Sequence, residues 1–155
     1  MRKRVDYELN TQVTTKFKIL TSANEIFEAI VDPVKIGNYW FSSSSERWEQ
    51  GKKITLRYDE YEAEGVIKVV EIGEGKKIVY SWGEEHGEVT TVTILLKELD
   101  QSTTIIEITE SGFKEDDPDL LAKLLGQKEG WVYMLSCLKA YLENGVNDLR
   151  ASLIH

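Results

Sequence analysis

The chain has 155 residues, of which 41% are hydrophobic and 30% are charged, and its formal net charge is −8. This composition excludes a fibrous or disordered protein and predicts one globular domain over residues 1–155. An acidic chain repels phosphate backbones, so we expect no nucleic-acid partner.

We expect a cytoplasmic protein without a membrane span. No apolar run approaches the roughly 20 residues that a spanning helix requires. The N-terminus is basic at Arg2, Lys3 and Arg4 but lacks the apolar segment of a secretory signal. The single cysteine, Cys137, cannot form an internal disulfide, and its helical spacing predicts a buried apolar position.

The first elements are predicted from a change of hydrophobic period. Apolar residues alternate with polar ones in 7–20, at Val13, Phe17 and Ile19, which indicates a strand. Ser22 and Glu25 then have the spacing of a capping box, and the helical face that follows ends before Pro33. A short second helix is predicted near Gly37, followed by a polar connection at 42–46.

Five further strands are predicted from β-branched residues and regular turn signals. Their ranges are 52–58, 62–72, 76–82, 88–99 and 103–110. Alternation places Ile54, Leu56 and Tyr58 on one side of the first of these strands. Gly65 inside its strand indicates a bulge or bend that would curve the sheet.

The last element is a long helix. Asp117 is the predicted N-cap with Pro118 at the first helical position, and Gly145 stands at the expected C-cap. Its apolar face is predicted to comprise Leu124, Trp131, Leu135, Leu138 and Leu142, with Leu121 and Leu125 beside it. Gly126 and Gly130 each weaken a helix by about 1 kcal/mol relative to alanine and mark a kink or a close approach.

The order of elements predicts an α+β fold. The first strand, two short helices and five or so further strands are expected to give a curved antiparallel sheet of about six strands, and the C-terminal helix must cover one face of that sheet.

Several segments resemble the Aha-type family, homologues of the activator of a heat-shock-protein ATPase, within the START-like (SRPBCC) superfamily. They are "EIFEAIVDPVKIGNYW" (25–40), "GKKITLRY" (51–58), "EGVIKVVEIGEGKKIVYSW" (64–82), "TTIIEITESGF" (103–113) and "GWVYMLSCLKAYLE" (130–143). The resemblance covers roughly 11–144. One departure is Tyr39 before Trp40, where many relatives have two adjacent tryptophans.

The resemblance implies a helix-grip fold, with a cavity between the sheet and the C-terminal helix that binds apolar or amphipathic molecules in many relatives. It does not imply a chemistry, because the superfamily includes lipid carriers, hormone receptors, polyketide cyclases and chaperone cofactors.

Aromatic residues suit the wall of such a cavity, since tyrosine and tryptophan combine apolar surface with a polar tip. The predicted ligand-binding residues are Trp40, Tyr58, Tyr80, Trp82, Trp131 and Leu135. We expect Trp131 to form a wall of the cavity and not merely to fill the core.

No catalytic residue, metal site or cofactor is predicted. His86 lies in an acidic turn and His155 is the last residue, and neither belongs to a metal-ligand pattern. No phosphate-binding loop, dinucleotide fingerprint or nucleophile elbow is present. Arg57 and Glu107 are candidates for a surface ion pair across the sheet.

The leading hypothesis is therefore binding of a small apolar or amphipathic molecule, lipid-like or polyketide-like, without a cofactor. One alternative is an interaction module for a chaperone or another protein. A second alternative is a cyclase-like or hydrolase-like enzyme, which is disfavoured because no acid–base set converges.

Overall fold

A computed structural model describes residues 11–83 and 88–154. These residues form a seven-stranded antiparallel sheet with the strand order β1-β7-β6-β5-β4-β3-β2. The strands are β1 (Val13–Ile19), β2 (Ser43–Ser44), β3 (Lys53–Tyr58), β4 (Ala63–Gly73), β5 (Lys77–Gly83), β6 (Val89–Asp100) and β7 (Thr103–Ser111). The α+β helix-grip fold predicted from the sequence is confirmed.

Helix α1 (Ala23–Val31) begins and ends where its sequence predicts. The Ser22 hydroxyl accepts a hydrogen bond from the Glu25 backbone N–H at 3.3 Å, which caps the first turn. The helix ends at Asp32, since Pro33 disfavours helical backbone in the residue before it. A short 3-10 helix, Ile36–Asn38, follows as expected.

Helix α2 (Leu120–Asn144) begins two residues later than predicted. Asp119, not Asp117, occupies the N-cap position, and no side chain caps the helix there. Asp117 instead forms a turn before the helix, in which its carboxylate accepts the Asp119 N–H at 2.8 Å. The C-terminal end is as predicted, because Gly145 adopts φ 68°, a left-handed conformation that suits glycine.

Three contacts fix the direction of α2, two with β1 and one with Leu20 directly after it. Lys128 Nζ donates to the Thr14 carbonyl at 2.7 Å, and Lys139 Nζ donates to the Lys18 carbonyl at 2.8 Å. Near the end of the helix, the Glu143 carboxylate accepts the Leu20 N–H at 2.9 Å. Sequence number rises along both elements together, so α2 runs parallel to β1 and covers this side of the curved sheet.

The core lies between the concave face of the sheet, α1 and α2. Isoleucines supply one buried position on each of six strands, which suits β-branched side chains packed on a pleated surface. They are Ile19, Ile54, Ile67, Ile78, Ile94 and Ile106. Cys137 on α2 is also buried, as its spacing predicted.

Two predictions about the sheet are wrong. The serine-rich connection at 42–46 contains the edge strand β2, whose Ser43 and Ser44 pair with β3. The shift in register lies between Val69 and Glu71 and not at Gly65. A Cβ atom on Gly65 would stand 2.6 Å from the Trp82 indole, so this glycine makes room for a ring.

The segment after α2 folds back onto the rest of the molecule. The Tyr133 hydroxyl donates to the Leu149 carbonyl, and the Tyr61 hydroxyl donates to the Leu153 carbonyl at 3.2 Å. Arg150 Nη2 donates to Glu60 at 2.7 Å and to the Ser42 hydroxyl at 3.0 Å. This segment therefore contacts Ser42, directly before β2, and Glu60 and Tyr61, shortly after β3.

Candidate functional site

A cavity of about 210 Å3 lies between the sheet and α2, near the middle of the helix. Six of its ten lining residues are aromatic. The lining consists of Trp40, Phe41, Tyr58, Tyr80, Trp82, Val92, Glu110, Gln127, Gly130 and Trp131.

The floor of the cavity comes from one row of residues across the sheet. Tyr80 on β5 is directly opposite Val92 on β6, and Val92 is directly opposite Glu110 on β7. Trp82 lies on the same face as Tyr80, because side chains two residues apart in a strand point the same way. The period that buries the core isoleucines therefore also points these side chains into the cavity.

Trp40 and Phe41 form an aromatic wall directly after the 3-10 helix. The ring centroid of Phe41 is 4.6 Å from that of Tyr58 and 6.0 Å from that of Trp82. The Trp40 indole meets Trp131 edge to face at 5.7 Å. Edge-to-face and tilted contacts are favourable between aromatic rings, so these side chains support one another around the cavity.

Tyr39 does not face the cavity. Its hydroxyl donates to the Ala29 carbonyl at 2.7 Å, and its ring stacks on Tyr141 with centroids 5.9 Å apart. The hydroxyl that this sequence adds at the first position of the aromatic pair thus has a structural partner on α1.

The polar end of the cavity is Glu110, which is 2% exposed. Its Oε1 accepts hydrogen bonds from Trp131 Nε1 at 2.9 Å and from Gln127 Nε2 at 2.7 Å. Its Oε2 accepts one from the Thr90 hydroxyl at 2.6 Å. A buried carboxylate needs such donors, and here they tie β7 to β6 and to two successive turns of α2.

Sequence reasoning missed Glu110, although the sequence held a signal for it. In β7, Thr104, Ile106 and Ile108 alternate on the buried face, and Glu110 continues this series. A charged residue at a position whose period predicts burial is unusual and marks a candidate site. Val92, Gln127 and Gly130 were missed as well, because period alone does not show which core residues border a cavity.

Five of the six predicted site residues line the cavity: Trp40, Tyr58, Tyr80, Trp82 and Trp131. Leu135 does not, because it is fully buried in the core one turn beyond Trp131. Trp131 is 7% exposed and borders the cavity with one part of its surface, as expected.

Burial keeps the tyrosine hydroxyls protonated. Burial raises the pKa of Tyr58 to about 12. For Tyr80, burial first and the neighbouring Glu110 charge second raise the pKa well above its ordinary value. Both side chains therefore remain neutral in ordinary buffers, and a phenol in this state can donate a hydrogen bond to a group inside the cavity.

A second, more open space of about 450 Å3 adjoins the cavity. The two share Trp82, Glu110 and Gln127 as lining residues, so Glu110 stands between them. Lys123 on the rim of this cleft donates to Glu88 at 2.7 Å and also to Asp117. The cleft gives the cavity an approach from outside along the first turns of α2.

Among the ten described residues that line the cavity, Glu110 is the only one with a carboxyl or amino side chain. Arg57 pairs with Glu64 at 2.8 Å, and Glu107 lies 4.0 Å from Lys16, so the suggested Arg57–Glu107 pair does not form. Within residues 11–83 and 88–154 no cluster of three or more His, Cys, Asp or Glu side chains could hold a metal ion. His86 and His155 lie outside the described residues, as do Arg2, Lys3 and Arg4.

No helix in the described part is long and apolar enough to cross a membrane.

Residues 20–143 match the family model described as Activator of Hsp90 ATPase homolog 1-like protein. The chain belongs to this family. No curated protein sequence matches the chain. The Activator of Hsp90 ATPase homolog 1-like family lies within the START-like superfamily, in agreement with the resemblance seen in the sequence.

Solved structures of similar proteins agree with the fold of this family member. Protein SSP2350 from Staphylococcus saprophyticus is 48% identical, covers 88% of this chain with 94% of its own, and superimposes with a TM-score of 0.76. Aha1 from Colwellia psychrerythraea, solved as a dimer, is 19% identical over 86% of this chain and 97% of its own, with a TM-score of 0.74. DynU16, a protein of the dynemicin biosynthetic locus, is 18% identical over 89% of this chain and 49% of its own, with a TM-score of 0.77. At these two lower identities the likeness concerns the fold alone.

Proposed function

We propose that this member of the Activator of Hsp90 ATPase homolog 1-like family binds an apolar or amphipathic small molecule, lipid-like or polyketide-like, between its sheet and α2. The observation that carries the proposal is the cavity itself, with six aromatic side chains on its walls and one carboxyl group at its end. Binding sites for small molecules combine apolar walls with a few placed polar groups in this way.

The volume of the cavity is large enough for only part of a lipid-like or polyketide-like ligand. A volume of about 210 Å3 is below the roughly 300–1,000 Å3 typical of ligand pockets. A cavity of about 150 Å3 already holds a benzene ring. We therefore expect a ring or a short chain to occupy the cavity, while the rest of the ligand extends into the cleft of about 450 Å3.

The first test is native mass spectrometry of gently purified protein. A co-purifying small molecule supports the proposal. A stoichiometric protein partner would instead support the alternative, an interaction module that modulates a chaperone, which the name of the matched family suggests.

The second test is a titration with lipids, flavonoids and polyketides, in which binding is measured by tryptophan fluorescence. Three of the four tryptophans line the cavity, so an occupant should change their emission. In Gly130→Leu, the added side chain should occupy the cavity, because a Cβ atom at this position meets nothing within 4 Å. Ser136→Leu places the same side chain on the exposed side of α2 and serves as the control. Equal binding by both variants would contradict the proposed site.

A further inference from the structure

We infer that the cavity selects ligands carrying a protonated amine, which Glu110 and the aromatic walls would hold together. The inference rests on the proposed function and deepens it by naming the head group of the ligand.

The lining of the cavity has one formal charge, and that charge is negative. Glu110 is the only ionisable carboxyl or amino side chain among the ten lining residues. Its three hydrogen-bond donors, Trp131, Gln127 and Thr90, are all neutral. In the part of the chain that the structure describes, no lysine, arginine or histidine forms an ion pair with it. A buried charge of this kind is balanced best by a cation brought by the ligand.

The neighbouring lysines on α2 are held elsewhere. Lys123 binds Glu88 and Asp117 at the rim of the cleft. Lys128 donates to the Thr14 carbonyl and, at 3.0 Å, to the Thr15 hydroxyl. Neither lysine neutralises Glu110, so the negative charge remains available to a group that enters the cavity or the cleft.

Glu110 also retains capacity to accept a hydrogen bond. A carboxylate offers about four acceptor positions, two on each oxygen. Oε1 already accepts two hydrogen bonds, whereas Oε2 accepts one, from Thr90. Because Glu110 borders both spaces, an N–H group of a ligand that bonds to Oε2 would use this remaining position. This favours an amine that carries at least one proton over a quaternary ammonium group, which has none to donate.

The aromatic walls reinforce the same preference. The faces of tryptophan, tyrosine and phenylalanine attract cations through their electron density, and tryptophan does so most strongly. Trp40, Trp82 and Trp131 all border the cavity, as do Phe41 and the neutral phenols. An anionic head group would meet Glu110 and the negative ring faces together, and both would repel it. We therefore expect cationic ligands to bind more tightly than neutral ones, and neutral ones more tightly than anionic ones.

The test uses three probes with one body and different heads: phenylpropylamine, phenylpropanol and phenylpropanoate. Binding is measured by titration calorimetry at neutral pH, and protein folding is checked by circular dichroism. A charge-assisted hydrogen bond together with a cation–ring contact should favour the amine over the alcohol by at least about tenfold. The carboxylate should bind at least about tenfold more weakly than the alcohol.

Two variants that each remove one negative charge test whether Glu110 is the source of the preference for the amine over the alcohol. Glu110→Gln should reduce the preference for the amine over the alcohol to within about threefold, while the alcohol still binds. Glu107→Gln changes a partly exposed carboxylate three residues earlier on β7, which lies 4.0 Å from Lys16 and does not line the cavity, and this variant should keep the preference. An unchanged preference in folded Glu110→Gln, or its loss in Glu107→Gln, would overturn the inference.

The wild-type protein tests the inference even if Glu110→Gln does not fold. Equal affinity for the amine and the alcohol would overturn the inference and leave the proposed function standing. Binding of neutral or anionic members of the wider panel, with no binding of the amine, would have the same meaning. If neither the three probes nor the panel bind, the inference and the proposed function both fail.

Discussion

The two halves of α2 differ in what lies beneath them. From Trp131 onward the helix packs on the core, with Met134, Leu135 and Leu138 buried. Between residues 121 and 130 no side chain is buried, and the helix passes over the cavity and the cleft. One continuous helix thus packs on the core in its second half and covers the cavity and the cleft in its first half.

The difference arises from side-chain volume. Gly126 borders the cleft and Gly130 borders the cavity, and a Cβ atom at either position would meet nothing within 4 Å. The sequence predicted a kink or a close approach at these two glycines, and the close approach is wrong, because neither glycine has a neighbour near its Cβ position. They keep the underside of the helix free of side chains, and this absence leaves room for a ligand.

The largest effect is expected from Leu135→Ala, in the core half. Leu135 is fully buried, so its truncation should lower the free energy of unfolding by about 2–5 kcal/mol. Leu124→Ala removes a partly buried leucine from the other half and should cost less than half as much. Urea denaturation followed by circular dichroism measures both, and equal losses would erase the distinction between the halves.

Trp131 stands at the boundary, and Trp131→Ala should have an intermediate effect. Part of the indole borders empty space, so we expect a loss below the roughly 3–5 kcal/mol of a fully packed tryptophan, with a folded product whose binding of apolar probes is changed. The same denaturation and titration experiments provide both quantities. A loss above about 3 kcal/mol, with a wild-type protein that binds nothing, would mean that the space belongs to the core.

Alkaline pH should lower the stability of the protein through its buried tyrosines, of which Tyr58 borders the cavity and Tyr39 lies in the core. The pKa of Tyr58 is raised to about 12 in the folded protein, above the ordinary value near 10. The folded state therefore retains a proton that the unfolded state loses, and the stability present below pH 10 should fall as pH rises toward 12, by up to about 1.4 kcal/mol per pH unit for each such tyrosine.

Tyr58→Phe removes the contribution of a tyrosine that borders the cavity to this pH dependence. Tyr39→Phe removes the contribution of a tyrosine in the core, whose pKa is also raised by burial. Denaturation between pH 9 and 12 should show a shallower decline for both variants. Tyr39→Phe should also lose stability at neutral pH, by about 1 kcal/mol, because it gives up the hydrogen bond to Ala29. A decline as steep as that of the wild type would contradict the role of these groups.

The smallest change in the free energy of unfolding is expected from Gly130→Ala, and this variant should be more stable than the wild type, whereas the variants above should be less stable. Alanine is better than glycine in a helix by about 1 kcal/mol, and here nothing opposes the added methyl group. Stability should therefore rise while the room for a ligand shrinks. Gly145→Ala is the matched control and should destabilise the protein, since φ 68° disfavours any side chain. A destabilised Gly130→Ala would show that the space beneath the helix is not open.

Period and turn signals in the sequence were sufficient for the fold. The alternation in β5 correctly placed Tyr80 and Trp82 on the face that looks toward α2. The start of α2 was misplaced because Asp117 and Pro118 are equally suited to the turn that precedes a helix. Gly65 was interpreted as a bulge because a glycine in the sequence does not show which side chain lies opposite it.

The cavity was harder to predict than the aromatic residues around it. A cavity depends on the volume that neighbouring elements leave between them, and hydrophobic periodicity contains no information about that volume. Leu135 and Trp131 follow the same helical spacing, yet only Trp131 borders the space. Glu110 is different, because its position in the buried series of β7 could have been recognised from the sequence alone.

The contacts of Arg150 bear on where this protein can be shortened. Its Nε donates to the Trp40 carbonyl at 2.7 Å, in addition to its bonds with Ser42 and Glu60. The family match ends at residue 143. A fragment cut at that boundary would keep every residue that lines the cavity, yet it would lose the hydrogen bond from Arg150 to the Trp40 carbonyl. The contacts that support the wall of the cavity thus extend past the end of the family match, to a guanidinium group that does not line the cavity.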